Sequence, residues 1–450
     1  MITQLYLTTK QTMKAKVMNN TLEKNKNEKG YKKTKLGWIP QEWGIVKLAD
    51  IANIFVSNVD KNCFETEIPV KLCNYTDVYK NDYITSNLDF MQATASRSEI
   101  EKFILVKGDV LVTKDSEDCN DIAVPAFVKE SLKNVLCGYH LAIFRPQEEL
   151  LSGEYLAKIL KIQKLRNYFA VHANGVTRFG LNCGVINNTP IPLPPLLEQQ
   201  KIAEVLTSWD NAIEKTEKLI EFRQKTKNAL MQSLLTGKLR FPQFAGHEWK
   251  TVKLKDIFEK VNRKNSENNH NILTISAQHG LVSQAEFYNK RIASVDTSKY
   301  ILLKNGEFAY NKSYSKGYPM GAIKRLDKYD YGVVSSLYIC FSSKVDNICS
   351  DFFSHFFEAG LLNNEIQIVA QEGARNHGLL NISSTDFFNI EFKIPSNKEE
   401  QQKIVAVLNS CDREIEILKQ KLNKLNEQKK GLMQKLLTGQ VRVKLNKEAV

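Results

Sequence analysis

Between residues 404 and 436 apolar side chains return at alternating steps of four and three. The series reads Ile404, Leu408, Cys411, Ile415, Leu418, Leu422, Leu425, Lys429, Leu432 and Leu436, with Lys429 the one polar member. That spacing predicts a long helix whose stripe packs on another helix. The same steps run from 202 to 234 as Ile202, Leu206, Trp209, Ile213, Thr216, Ile220, Arg223, Lys227, Leu230 and Leu234. Here three members are polar, so the stripe is weaker at its centre. Each helix closes on Thr-Gly, which predicts left-handed caps at Gly237 and Gly439. Pro192, Pro194 and Pro195 precede the first helix and Pro395 the second, so neither runs backward. A helix of this length spans about 57 Å at about 1.5 Å per residue, and one apolar stripe needs a partner. The simplest partner is the other helix, lying antiparallel in the same chain. Two separate homodimeric coiled coils are the alternative.

These helices belong to an internal repeat. Residues 198–240 align with 400–442 without a gap, and 20 of the 43 positions are identical. Upstream, Glu42-Trp43 and Val46-Lys47-Leu48 recur as Glu248-Trp249 and Val252-Lys253-Leu254. The long stretches between these signals share little identity. They mix β-type runs (103–106, 110–112, 338–341) with helical stretches (153–170, 351–362), which points to an α+β class. The expected order is a basic, disordered tail (1–35), a variable domain (36–197), a helix (198–239), a second variable domain (240–397), a second helix (398–440) and a short tail (441–450). Antiparallel pairing implies pseudo-two-fold symmetry.

Charge changes this picture little. The net charge is +13, but residues 1–35 hold nine Lys against two Glu, leaving +6 for the remainder. A basic balance suits a polyanionic partner without demanding one. No apolar run of membrane-spanning length and no secretory leader is present, so no membrane partner and a cytoplasmic location are expected. The eight cysteines form no Cys-x-x-Cys pair and the histidines are scattered, so no metal site is expected. No catalytic residues are identified. Glu391-x-Lys393 after Asp386 is a poor match to a nuclease signature, and no Asn-Pro-Pro-Tyr stretch marks a methyltransferase.

Two similar modules on a rigid rod suit the repeating groove of duplex DNA, which recurs about every 34–36 Å. They suit a two-partner protein scaffold as well. At this point the ordered motifs matter: Leu36-Gly37-Trp38-Ile39-Pro40-x-x-Trp43, Leu193-Pro194-Pro195-Leu196-x-Glu198-Gln199-Gln200-Lys201-Ile202-Ala203, and Leu234-Leu235-Thr236-Gly237, each with a second copy. Over about residues 36–440 the chain resembles the specificity subunits of type I restriction-modification enzymes. The resemblance implies target-recognition domains that each read half of a split DNA sequence, with helices that set the spacer. It implies docking of two modification subunits that use S-adenosylmethionine, and of a restriction subunit that uses ATP and Mg2+. This chain would bind no cofactor and catalyse nothing. A related system that cleaves on both sides of its target is the nearest alternative.

Candidate DNA contacts follow from composition. In the second domain Asn311, Lys312, Tyr314, Lys316, Tyr318, Lys324 and Arg325 interleave basic, aromatic and glycine residues. The matching stretch of the first domain is acidic, with Lys114 and Asn120 as candidates among four carboxylates. A Gly-x4-Gly segment follows in each domain and supplies Thr177 and Arg178, then Arg375 and Asn376. The helix or subunit-interface candidates are Gln199, Gln200, Ile202, Leu206, Trp209 and Ile213, with Gln401, Gln402, Ile404, Leu408, Ile415 and Leu422 in the second copy.

Overall fold

The computed structural model describes residues 30–288, 296–346, 348–370 and 380–445. They form two compact units, whose boundary falls inside both long helices, at Lys215/Thr216 and Lys421/Leu422. The first long helix spans Leu196–Leu234 and the second Lys398–Leu437. All twenty stripe positions are buried or half-buried, including the polar ones.

Unit 1 is built on a five-stranded sheet in the order Ala52–Val56, Leu141–Pro146, Val110–Thr113, Pro125–Val128, Tyr83–Ile84. Strand side chains alternate between faces. Val110, Val112, Ala142 and Phe144 enter one core cluster, while Leu111, Leu141 and Ile143 enter the other. Unit 2 repeats the plan with four strands: Phe258–Lys260, Ile339–Ser343, Phe308–Asn311, Ala322–Arg325. Phe308, Tyr310, Ile339 and Phe341 face one cluster, and Ala309 and Cys340 the other.

Within each unit the two long helices run in opposite directions. In unit 1 Ile202 and Leu206 share a core cluster with Leu436 and Leu437, and Asp210 pairs with Lys429. In unit 2 Met231 and Leu234 share one with Ile404 and Leu408, and Lys227 Nζ lies 2.5 Å from Asp412 Oδ1. The two lysines are repeat equivalents, as are the two aspartates. They explain the two stripe lysines: each meets a carboxylate only in the antiparallel register, so the pairs select that register.

The repeated motifs build a junction where domain meets helix. In unit 1 Trp43 Nε1 donates to Glu198 Oε2 at 3.1 Å, and Arg442 clamps the same carboxylate at 2.5 and 2.8 Å. In unit 2 Trp249 Nε1 reaches Glu400 Oε1 at 3.4 Å, and Arg240 clamps it at 2.9 and 2.8 Å. Gly237 and Gly439 have φ of 72° and 68°, the left-handed conformation expected of the caps. A Cβ on Gly439 would lie 2.3 Å from Pro40 and 3.3 Å from the Trp43 ring, and one on Gly237 3.3 Å from Trp249.

Three local expectations differ from the structure. Residues 103–106 are not a strand: Ser96 and Glu99 close a capping box that starts the Arg97–Phe103 helix, and Phe103 ends it. The stretch at 153–170 is two helices, Gly153–Ile159 and Gln163–His172. The end of the basic tail is ordered, because Tyr31–Thr34 pairs with Gly37–Pro40 and Tyr31 Oη donates to Gly439 O at 2.9 Å. Cys73, Cys137 and Cys340 are buried, whereas Cys63 and Cys183 are exposed. Burial pushes the Cys340 thiol up to about 12.

Candidate nucleic-acid interface

The inner sheet strand of each unit delivers a lysine to the same place. Lys114 follows Val110–Thr113, and its carbonyl accepts from Leu181 N at 3.0 Å. Lys312 follows Phe308–Asn311, and its carbonyl accepts from Leu380 N at 3.0 Å. Leu181 stands directly after the first candidate glycine-bounded segment, and Leu380 two residues after the second. In unit 1 the sheet therefore brings two segments that lie far apart in sequence to one loop cluster, and in unit 2 it brings Leu380 to the loop at Lys312.

In unit 1 the cluster is closed by a short ladder between Asp115–Ser116 and Phe179–Gly180. Asn174 and Gly180 exchange both backbone hydrogen bonds, which pinches residues 175–179 into a tight projection. Gly175 has φ of 141°, and a Cβ there would lie 1.9 Å from Arg178 O, so the pinch requires glycine. Thr177 and Arg178 are exposed on it. Arg178 Nη2 lies 3.0 Å from His140 Nε2, and His140 Nδ1 lies 2.6 Å from Asp115 Oδ2. Lys114 Nζ sits 3.6 Å from Asp115 and 5.7 Å from the centroid of the Tyr139 ring. Asn120 is exposed on a turn held by Asp118, whose Oδ1 accepts from Asn120 N at 2.9 Å.

Three of the four carboxylates of this loop are engaged internally. Asp115 faces His140 and Lys114, Asp118 closes its own turn, and Asp121 accepts from Tyr79 Oη. The hydrogen bond to Asp121 and its charge raise the Tyr79 hydroxyl above its usual range. Among the described residues no group of three or more His, Cys, Asp or Glu is placed to hold a metal ion. Tyr139 and His140 join the cluster without any mark in the sequence pattern. His140 has φ of 72°, a backbone turn that aims the ring back at Asp115, and that turn leaves no periodic signal.

In unit 2 Tyr314 is 64 % exposed, and Lys316 is exposed beside it on the Ser315–Tyr318 turn. Lys312 Nζ is 3.5 Å from Ile382 O, and Asn311 Oδ1 accepts from Ser313 N at 3.1 Å. Three other candidates are turned to internal use. Tyr318 Oη donates to Glu358 Oε1 at 2.5 Å, and Lys324 pairs with the same carboxylate. Burial, then Glu358, raises the Tyr318 hydroxyl. Arg325 is held by Asp327 and Asp351, both at 2.6 Å. Arg375 and Asn376 lie outside the described residues.

The helix candidates divide as well. Gln199 and Gln401 are buried and structural: Gln199 Oε1 accepts from Ser152 N, and Gln401 Oε1 from Cys349 N, both at 3.0 Å. Gln200 and Gln402 are exposed. Ile202, Leu206, Ile404, Leu408 and Ile415 are buried in the stripe, and Trp209, Ile213 and Leu422 are half-buried.

A repeated sheet that carries two unlike loop clusters defines a two-domain recognition protein. The model of the type I restriction modification DNA specificity domain matches the chain twice, over residues 40–222 and 246–427. The chain belongs to that family and carries two of its domains in tandem. It is 25% identical over 437 residues to the type I restriction enzyme MjaVIII specificity subunit of Methanocaldococcus jannaschii, covering 90% of this chain and 94% of that one. A chain from a structural study of complex assembly and conformational transition of the type I R-M system superposes with a TM-score of 0.51. It is 14% identical and covers 90% of this chain and 99% of its own, a likeness of fold alone. The S subunit of a type I restriction-modification system from M. genitalium gives a TM-score of 0.49 at 15% identity, over 90% of this chain and 97% of that one. No helix among the described residues is long and apolar enough to cross a membrane.

Proposed function

We propose that each domain reads one half of a bipartite DNA target and that the chain does no chemistry itself. Lys114, Asn120, Thr177 and Arg178, with Tyr139 and His140, serve the first half. Asn311, Lys312, Tyr314 and Lys316, with Arg375 and Asn376, serve the second. The long helices set the spacer between the halves. Two copies of a modification subunit that uses S-adenosylmethionine dock on the repeated surface, which includes exposed Gln200 and Gln402. A restriction subunit that uses ATP and Mg2+ completes the complex in the cytoplasm.

The observation that carries this reading is the pair of loop clusters. The same backbone anchor, Lys114 O to Leu181 N and Lys312 O to Leu380 N, supports unrelated side chains in the two domains. Two halves of one target with different base sequences require that combination. The test is co-expression with the modification subunit, followed by mapping of methylated adenines. One split motif is expected. Replacing residues 240–397 with those of a relative should change one half of the motif and leave the other. A change in both halves, or no motif from an intact complex, removes the reading.

A further inference from the structure

The Gln163–His172 helix and the end of the second long helix enclose a groove of about 520 Å3 in unit 1. Five cations line it: Lys161, Lys164, Arg166, Lys429 and Lys430. Two are matched, Lys161 by Asp82 at 2.5 Å and Lys429 by Asp210. Lys164, Arg166 and Lys430 are exposed, and no ion pair to a carboxylate is formed by them among the described residues. Burial lowers the Lys161 ammonium below its usual range, and nearby Lys158 and Lys429 push the same way against Asp82. The opening thus carries an excess of positive charge. No side chain caps the start of the Gln163–His172 helix, which begins at this groove.

The groove has a counterpart that lacks this charge. Repeat equivalents of its helix side (Gln224, Lys227, Asn228, Met231 and Gln232) line a groove of about 330 Å3 in unit 2. There Asn228 replaces Lys430, and Lys227 is matched by Asp412 at 2.5 Å. Ser152 and Cys349 dock equivalently on Gln199 and Gln401, and nine residues after each stand Lys161 and Glu358. The basic character is therefore private to unit 1. A subunit that docks on both repeats would be recognised by residues the repeats share. The groove also touches the reading loop, since Arg166 Nη2 donates to Asn120 O at 3.1 Å.

We propose that this groove holds the phosphodiester backbone of duplex DNA beside the half-site read by the first domain, with Lys164, Arg166 and Lys430 as its contacts. The proposal rests on the DNA-reading function above. Its test uses the assembled complex carrying Lys164→Ala, Arg166→Ala and Lys430→Ala together. Each phosphate contact contributes a slope of about 0.9 in log affinity against log salt, so the slope should fall by about 3. The methylated motif should not change in a Lys164→Ala, Lys430→Ala variant, which keeps the Arg166 contact to Asn120. Gln224→Ala with Asn228→Ala in the counterpart groove should leave the slope as it was. An unchanged slope in the triple variant, with thermal unfolding and subunit composition as in wild type, overturns the proposal. Loss of a protein subunit from the variant on size exclusion overturns it too, in favour of an acidic protein partner. If the unaltered complex binds duplex without sequence preference, the functional reading fails first; normal binding with an unmoved slope fails the groove alone.

Discussion

The two recognition domains use one frame and fill it differently. In unit 1 the helix-facing side of the sheet presents Val110, Val112, Ala142 and Phe144. In unit 2 the matching positions are Phe308, Tyr310, Ile339 and Phe341, and aromatic packing dominates. Phe308 and Phe341 stack at 5.4 Å, and Phe258 meets Phe308, Phe341 and Phe353 edge-on. Burial asks only for apolar volume at alternate positions, so side-chain identity drifts between the copies. The junction is different. Trp43, Glu198, Gln199, Arg442 and Gly439 recur unchanged as Trp249, Glu400, Gln401, Arg240 and Gly237. A donor, an acceptor and a left-handed turn in fixed geometry admit few substitutes. The reading loops obey neither constraint, and they diverge most.

The largest effect should come from breaking the junction. Glu198 is 1% exposed and serves two donors from distant parts of unit 1. Glu198→Ala leaves the Trp43 indole without its acceptor and leaves Arg442 only the exposed Glu42 as a carboxylate partner. It should cost about 2–3 kcal/mol, less than a fully buried pair because Arg442 is partly exposed. Glu400→Ala should cost less, because the Trp249 contact is longer at 3.4 Å and its indole is only half-buried. Urea unfolding followed by tryptophan fluorescence measures both. Equal losses would show that the tighter Trp43 contact adds nothing.

This division explains what the sequence reveals. Periodicity and glycine caps carry the helices, because a stripe of side chains every three or four residues is itself the physical requirement. The lysine-bearing loops are legible too, from Lys114 and Lys312 at matching places. What composition hides is pairing at a distance. Lys324 and Arg325 look DNA-facing until the fold sets Glu358 and Asp351 against them. Likewise Tyr139 and His140 join the first cluster only through the turn at His140 and the ladder to Phe179–Gly180. The Phe103–Val106 run reads as a strand because it is β-rich, yet the upstream capping box decides its conformation.

A smaller effect separates the reading loops. The sheet register places Leu337 where His140 stands in unit 1, and Leu337 is 67 % exposed. His140 joins Asp115 and Arg178 in a polar cluster that can meet a base edge, whereas a leucine can pack only on an apolar feature such as a thymine methyl. His140→Ala should relax discrimination in the first half of the motif by about 10-fold, in line with about 1–3 kcal/mol per base contact. Leu337→Ala should act on the second half and by less. Methylation of a library of half-site variants separates the two. Crossed effects would break the assignment of one domain to one half.

The smallest effect distinguishes the two ion pairs inside the helix seam. Asp210 meets two ammoniums, Lys158 and Lys429, whereas Asp412 meets Lys227 at 2.5 Å and its side chain is 47 % exposed. Burial alone would raise the Asp210 carboxyl, but the two lysines outweigh it and hold it below its usual range. Its folded value therefore lies below the unfolded value of about 3.9, and the sign of the linkage follows. The stabilisation is complete above about pH 4 and is lost as the pH falls through the folded value. Asp210→Asn should lower the urea midpoint at pH 7 and flatten its further decline below about pH 4. Asp412→Asn should move the midpoint less at every pH, since its charge is screened by solvent. If both variants flatten the acid limb equally, the second lysine beside Asp210 has no energetic consequence, and the two halves of the seam are equivalent after all.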